Sequence, residues 1–278
     1  MRKILVLALS CILLVASLAS CAAGLGDPDA INDYTPEVKT ITTDTGVFTF
    51  EEAEGDTAIL VGYSGKLTKD DHVKIPETFN DRPVVGIGEK VFYNLAAVVA
   101  VDIPATVTSI GDFAFAGCTE LESVTLPAGT LSIGLAAFNG CTKLTTVELG
   151  NALVSIDKFA FRACPALVNI DLPDTLETIG EGAFYNSTAI TEFAAPAALK
   201  EIGTLAFYNC TGLTSIKLSD TLETIGEYAF TTEKTTMKAI IDVTSYTEGS
   251  VADKYVKAMA DTEIEDETEA PEENQAEA

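Results

Sequence analysis

Cys118, Cys141, Cys164 and Cys210 share one place in a 23-residue register, and thiols can act as nucleophiles, metal ligands or disulfide partners. His72 is the one imidazole in a chain with 42 acidic and 17 basic side chains. A Ser-His-Asp or Cys-His arrangement would therefore have to be built around His72, away from the cysteine register. C-x2-C and Cys/His zinc spacings are absent, as are phosphate loops. Glu148 and Asp171 are one register apart, and paired carboxylates can do acid–base work on glycans. Adjacent acids on a repetitive surface are accounted for more simply by solvation. The residues thus predict no catalysis, no cofactor and no metal.

The elements that place these side chains are set by a strict period. Ile-Gly recurs at Ile87, Ile110, Ile133, Ile179, Ile202 and Ile225, with Ile156-Asp157 in the remaining slot. Phenylalanine follows each isoleucine by five: Phe92, Phe115, Phe138, Phe161, Phe184, Phe207 and Phe230. A period of this length marks a solenoid whose coils contact mainly their neighbours. Within one repeat Ala114, Phe115 and Cys118 fit one helical turn, and Val124 and Leu126 fit a short strand ended by Pro127. The expected fold is mainly β, with one short helical turn per 23-residue repeat and a parallel sheet on one face. An N-terminal β cap and a C-terminal helical cap close it. The phenylalanines should stack into a buried spine. The cysteines read as small space-fillers, with free thiols favoured over bridges because side chains of one column project in parallel. Gly and Asp after each isoleucine suit either a positive φ or a helix N-cap, and the N-cap is favoured. Leu131, one residue later than the Val107 and Leu153 column, should bend its coil.

Composition bounds the rest. The 278 residues carry a net charge of −25 and are 47% hydrophobic, with mean hydropathy +0.25. Such an acidic chain is repelled by phosphate backbones and anionic lipids, which argues against nucleic acid. Residues 1–20 have a basic start and an apolar run shorter than a membrane-spanning helix, as a secretory signal does. Leu18-Ala19-Ser20-Cys21 resembles the lipobox of bacterial lipoproteins, which implies acylation of Cys21 and a membrane anchor through that residue alone. Residues 21–44 read as a flexible tether, 45–86 as the β cap and 87–230 as the repeats. In 231–260, Ile240, Ile241 and Val243 suggest a last strand. Val251, Tyr255, Val256 and Met259 then form the apolar stripe of a lid helix. Residues 261–278 are acidic and lack an apolar period, so disorder is expected.

The pattern Leu-x-x-Val-x-Leu-Pro at Leu121 to Pro127, with Leu-x-x-Ile-Gly-x-x-Ala-Phe at Leu176 to Phe184, resembles the BspA-like (treponemal-type) leucine-rich repeats of bacterial surface proteins. The likeness covers roughly residues 73–260, with local departures such as Asp157 for Gly, Ser187 for Cys and Ala195 for the strand Leu. It implies a leucine-rich repeat solenoid exposed on or exported from a bacterial cell. It further implies a monomeric, non-catalytic protein that binds host extracellular-matrix or other surface proteins in recognition or adhesion. An envelope spacer without a ligand is the alternative, and a glycan-active enzyme the remoter one.

Two surfaces are candidates for partner binding. Exposed strand positions, among them Thr146, Glu148, Asn169 and Asp171, form a polar, mildly acidic face. The ridge above the phenylalanines is richer: Tyr93, Arg162, Tyr185 and Tyr208 share one column, and Tyr228 shares another with Phe113 and Phe159. A surface tyrosine offers a stiff contact with a polar tip. The pair Tyr185 and Tyr208 is the preferred anchor.

Overall fold

The computed structural model describes residues 39–67, 71–232, 242 and 245–262. The leader, Cys21, the tether up to residue 38, the strand-like Ile240, Ile241 and Val243, and residues 263–278 lie outside the described residues.

The cap comprises β1 (Lys39–Thr42), β2 (Val47–Ala53), β3 (Thr57–Ser64), β4 (Asp71–Lys74), β5 (Thr78–Phe79) and β6 (Arg82–Ile87). It starts inside the predicted tether, because Lys39–Thr42 alternates and pairs antiparallel with β2. The coils follow with β7 (Val98–Asp102), β8 (Ser109–Ile110), β9 (Ser123–Thr125), β10 (Ser132–Ile133), β11 (Thr146–Glu148) and β12 (Ser155–Ile156). They continue with β13 (Asn169–Ile170), β14 (Thr178–Ile179), β15 (Glu192–Ala194), β16 (Glu201–Ile202), β17 (Ser215–Lys217) and β18 (Thr224–Ile225), before helix α1 (Val251–Thr262).

Two parallel ladders run through the coils. The expected one joins the Val-x-Leu strands, as β9–β11–β13 and β15–β17. The second continues the cap sheet from β3 through β6, β8, β10, β12, β14 and β16 to β18, with Ile110, Ile133, Ile156, Ile179, Ile202 and Ile225 in register. Sequence reasoning placed helix directly after these isoleucines and missed this ladder.

The segment expected as a helical turn is a run of tight turns. Ala114 N–H donates to Gly111, Ala116 to Phe113 and Cys118 to Phe115, each three residues back. A left-handed residue interrupts the run twice per coil, which prevents an α-helix. One position is Lys90, Phe113, Ala136, Phe159, Gly182, Leu205 and Tyr228, with φ between 51° and 59°. The other is Asn94, Gly117, Gly140, Ala163, Asn186 and Asn209. A left-handed non-glycine residue costs ~1–2 kcal/mol. All of these except Tyr228 turn their N–H toward the following coil: Phe113 donates to Leu135, and Gly117 to Asn139. The phenylalanine between them does the same, as in Phe115 N–H to Ala137 O at 2.7 Å. These turns form a third ladder, with its inter-coil donors all facing the C-terminal side.

The glycine after each isoleucine serves neither predicted purpose. It allows close backbone approach: a Cβ on Gly203 would lie 2.5 Å from the Glu181 nitrogen. Leu131 stays out of the buried column: Thr130 takes that place and donates to Val107 O at 3.3 Å, leaving Leu131 half-exposed.

The phenylalanine spine is stacked throughout. Successive rings from Phe92 to Phe230 are 4.9–5.5 Å apart and within 13° of parallel. Tyr63 of the cap extends it at one end, and Tyr255 of α1 meets Phe230 edge-on at the other. Beside it, each column cysteine is free and buried. Each thiol donates to the phenylalanine carbonyl of the preceding coil, at 3.0–3.2 Å. Ser187 does the same to Phe161 O at 2.7 Å, which explains why serine replaces cysteine there.

Candidate protein-interaction surface

The ridge residues stand on the third ladder, one after each left-handed turn begins. Three consecutive coils bring Arg162, Tyr185 and Tyr208 together. The Arg162 guanidinium lies 5.4 Å from the Tyr185 ring centre, and Tyr185 and Tyr208 stack at 5.1 Å and 19°. Phe159 supports them from the neighbouring column, 6.0 Å from the same guanidinium. Its ring lies over Gly182, where a Cβ would collide with it. Arg162 has no ion-pair partner among the described residues, whereas Lys143, Lys158 and Lys200 are each paired with a glutamate one coil away. An exposed cation held on aromatic faces keeps its polar edge for a partner.

Tyr93 does not join this group. It belongs to a separate cluster near the cap, edge-on to Phe113 at 6.4 Å, with Lys90 over the Phe113 ring. Tyr228 is 59% exposed and makes no ring contact among the described residues. The strand face lies on a different ladder. There Thr146 pairs in register with Asn169 and with Ser123, and Glu148 with Thr125. The Thr125 hydroxyl donates to Glu148 at 3.1 Å, and Asp171 is exposed. Thus the named strand residues form one patch, the central ridge residues a second, and nothing joins the two.

Other reactive groups are occupied or shielded. His72 Nε2 is 2.8 Å from Asp102 Oδ1 at the surface of the β4–β7 pair. Burial pushes the Cys118, Cys164 and Cys210 thiols up to about 12 and Cys141 well above its ordinary value. They are therefore poor nucleophiles at neutral pH. No group of three or more His, Cys, Asp or Glu is arranged to hold a metal among the described residues. No helix among them is long and apolar enough to cross a membrane.

One feature escaped sequence reasoning. The Val-x-Leu ladder is interrupted twice, between β7 and β9 and between β13 and β15. The second break carries a cleft of about 270 Å³, lined by Asp171, Glu192, Ile190, Phe193 and Phe207 among others. The signal was present in Phe193, which replaces the aliphatic residue of its column, and in Ala195, which replaces leucine.

The sequence pattern of the BspA type leucine rich repeat region matches residues 85–213 and 178–252, in six copies. A leucine rich cell surface protein from Faecalibacterium prausnitzii is 28% identical, over 64% of this chain and 54% of that one, with a TM-score of 0.52. A leucine-rich repeat protein from Bacteroides ovatus is also 28% identical, over 69% and 57%, with a TM-score of 0.53. The T. pallidum leucine rich repeat protein is 27% identical over 66% and 80%, with a TM-score of 0.46. The chain spans little more than half the length of the first two. No curated protein matches it.

Proposed function

The chain belongs to the BspA-type leucine-rich repeat family, and from that premise we propose that it is an exported, lipid-anchored bacterial surface protein. It recognises other proteins without catalysis and serves in adhesion to host or bacterial surface proteins. The observation that carries this reading is the Arg162–Tyr185–Tyr208 stack, three adjacent coils presenting two stiff rings and a cation with no ion-pair partner among the described residues. Arginine and tyrosine are, with tryptophan, enriched at binding hot spots. The strand patch of Thr146, Glu148, Asn169 and Asp171 lacks such anchors and is proposed as a second, weaker contact surface. The leader and Cys21 supply the anchor: two or more acyl chains hold a protein firmly without a spanning helix.

The test is to array the full chain against matrix proteins, mucins and bacterial surface proteins. Tyr185→Ala with Tyr208→Ala should weaken the captured interaction at least tenfold, as loss of a hot-spot pair does. Unchanged binding to every captured partner would remove the ridge from the proposal. Intact-mass measurement of the exported protein should find acyl chains on Cys21, and Cys21→Ala should release the protein from membranes.

A further inference from the structure

The cleft between β13 and β15 is not part of the ridge, and it arises from residues particular to one repeat. Elsewhere the Val-x-Leu column holds Val124, Val147, Ile170 and Ile216. Phe193 replaces them, and its ring tilts toward the C-terminal coils, 4.6 Å from Phe207 and 5.5 Å from Phe230. An aromatic residue leaning that way, with short Ala194 and Ala195 after it, accompanies an unpaired edge toward β13. The resulting space has a buried apolar floor of Ile190, Phe193 and Phe207. Its rim carries Asp171 and Glu192, both exposed. Neither carboxylate has an ion-pair partner among the described residues, although Glu120, Glu177 and Glu181 each pair with a lysine one coil away.

We infer that this cleft receives an arginine side chain from an extended segment of a partner protein. The apolar floor fits the arginine stem, while the rings of Phe193 and Phe207, packed on one another and on Phe230, keep that floor rigid. Two unpaired carboxylates at the rim match the guanidinium's fork of donors, which a lysine ammonium would fill less completely. The volume, about 270 Å³, has room for one long side chain and not for a folded surface. The adjoining strand edges of β13 and β15 offer main-chain groups to the segment on either side, as in other strand-edge recognition.

The probe is a fluorescein-labelled heptapeptide with one central arginine flanked by valines, titrated with the full chain and followed by anisotropy. Its comparator carries neutral citrulline in place of the arginine. The parent should bind the arginine peptide saturably. Citrulline, Asp171→Asn and Glu192→Gln should each weaken binding roughly tenfold, the effect of losing a charge-assisted hydrogen bond. Ala194→Leu, at an exposed lining position, should block the cleft and abolish binding while the melting temperature stays at the parent's. Glu201→Gln, on the opposite ladder, should change nothing. Absence of saturable binding, or equal binding of the citrulline peptide, overturns the inference. So does an equal loss from Glu201→Gln, which would mark diffuse attraction to an acidic chain. Should Ala194→Leu fail to fold, the two carboxylate variants decide. Tyr185→Ala with Tyr208→Ala leaves this site intact, so failure of the ridge and failure of the cleft are separately visible.

Discussion

Replacing Tyr255 by phenylalanine removes one oxygen atom and tests how the last coil is finished. In every preceding coil the spine phenylalanine donates its backbone N–H to a carbonyl of the next coil, at 2.7–2.8 Å. The Phe230 N–H donates instead to the Tyr255 hydroxyl of α1, at 3.1 Å. Phe230 is fully buried, so Tyr255→Phe leaves an amide donor unsatisfied beneath a ring that still fits. An orphaned buried donor costs ~1–3 kcal/mol. For a folded unit of about 200 residues each kcal/mol shifts melting by ~2–4 °C, so a drop of ~2–12 °C is expected. Urea titration followed by circular dichroism gives the free energy, and hydrogen exchange at the Phe230 amide should accelerate by a matching factor. Tyr93→Phe is the control, since its half-exposed hydroxyl should contribute less than ~0.5 kcal/mol. Stability within ~0.3 kcal/mol of the parent, with unchanged exchange at Phe230, would refute the reading of the hydroxyl as a substitute carbonyl.

Phe161→Ala, in the middle of the stack, should cost ~3–5 kcal/mol through the cavity it leaves. Because coils are coupled only to their neighbours, melting should split or broaden; a single, little-changed transition would count against the spine. The thiols give a pH prediction. Their folded values lie above the unfolded ones, so folding favours the protonated form, and this stability is complete below pH ~9. It is lost as pH rises toward about 12, the folded value of Cys118, Cys164 and Cys210. Native protein at pH 8 should leave those three and Cys141 unlabelled by a thiol reagent, as mapped by mass spectrometry, and label them in denaturant.

Much of this architecture was legible because 23-residue copies repeat the same instruction. The phenylalanine column, the Val-x-Leu ladder and the lid helix could each be read from spacing alone. The left-handed position at Asn94, Gly117, Gly140, Asn186 and Asn209 was also visible in residue type. Its companion was not, since Phe113, Phe159, Leu205 and Tyr228 are side chains that rarely adopt that conformation. At Phe113, Phe159 and Leu205 inter-coil hydrogen bonds hold it, a tertiary cause that no local propensity reports. The Ser-Ile ladder escaped because two residues are too few to show alternation. Glycine after isoleucine was misread because backbone crowding from a neighbouring coil leaves the same residue choice as a cap. In the candidate surface, columns predicted which side chains share a ridge. They could not predict that Arg162 would lie over Tyr185, or that β13 and β15 would fail to pair.

The third ladder has a polarity with a consequence for assembly. Its inter-coil N–H groups all point toward the C-terminus, so one end of the pile offers hydrogens and the other offers oxygens. Two molecules could therefore prolong each other only nose to tail along this ladder, and such a contact repeats into a filament rather than closing on itself. The lid helix blocks that growth by setting a hydroxyl over the last central amide. The cap closes the opposite end with Tyr63 over Phe92, so such growth would require the loss of both closures and not of one.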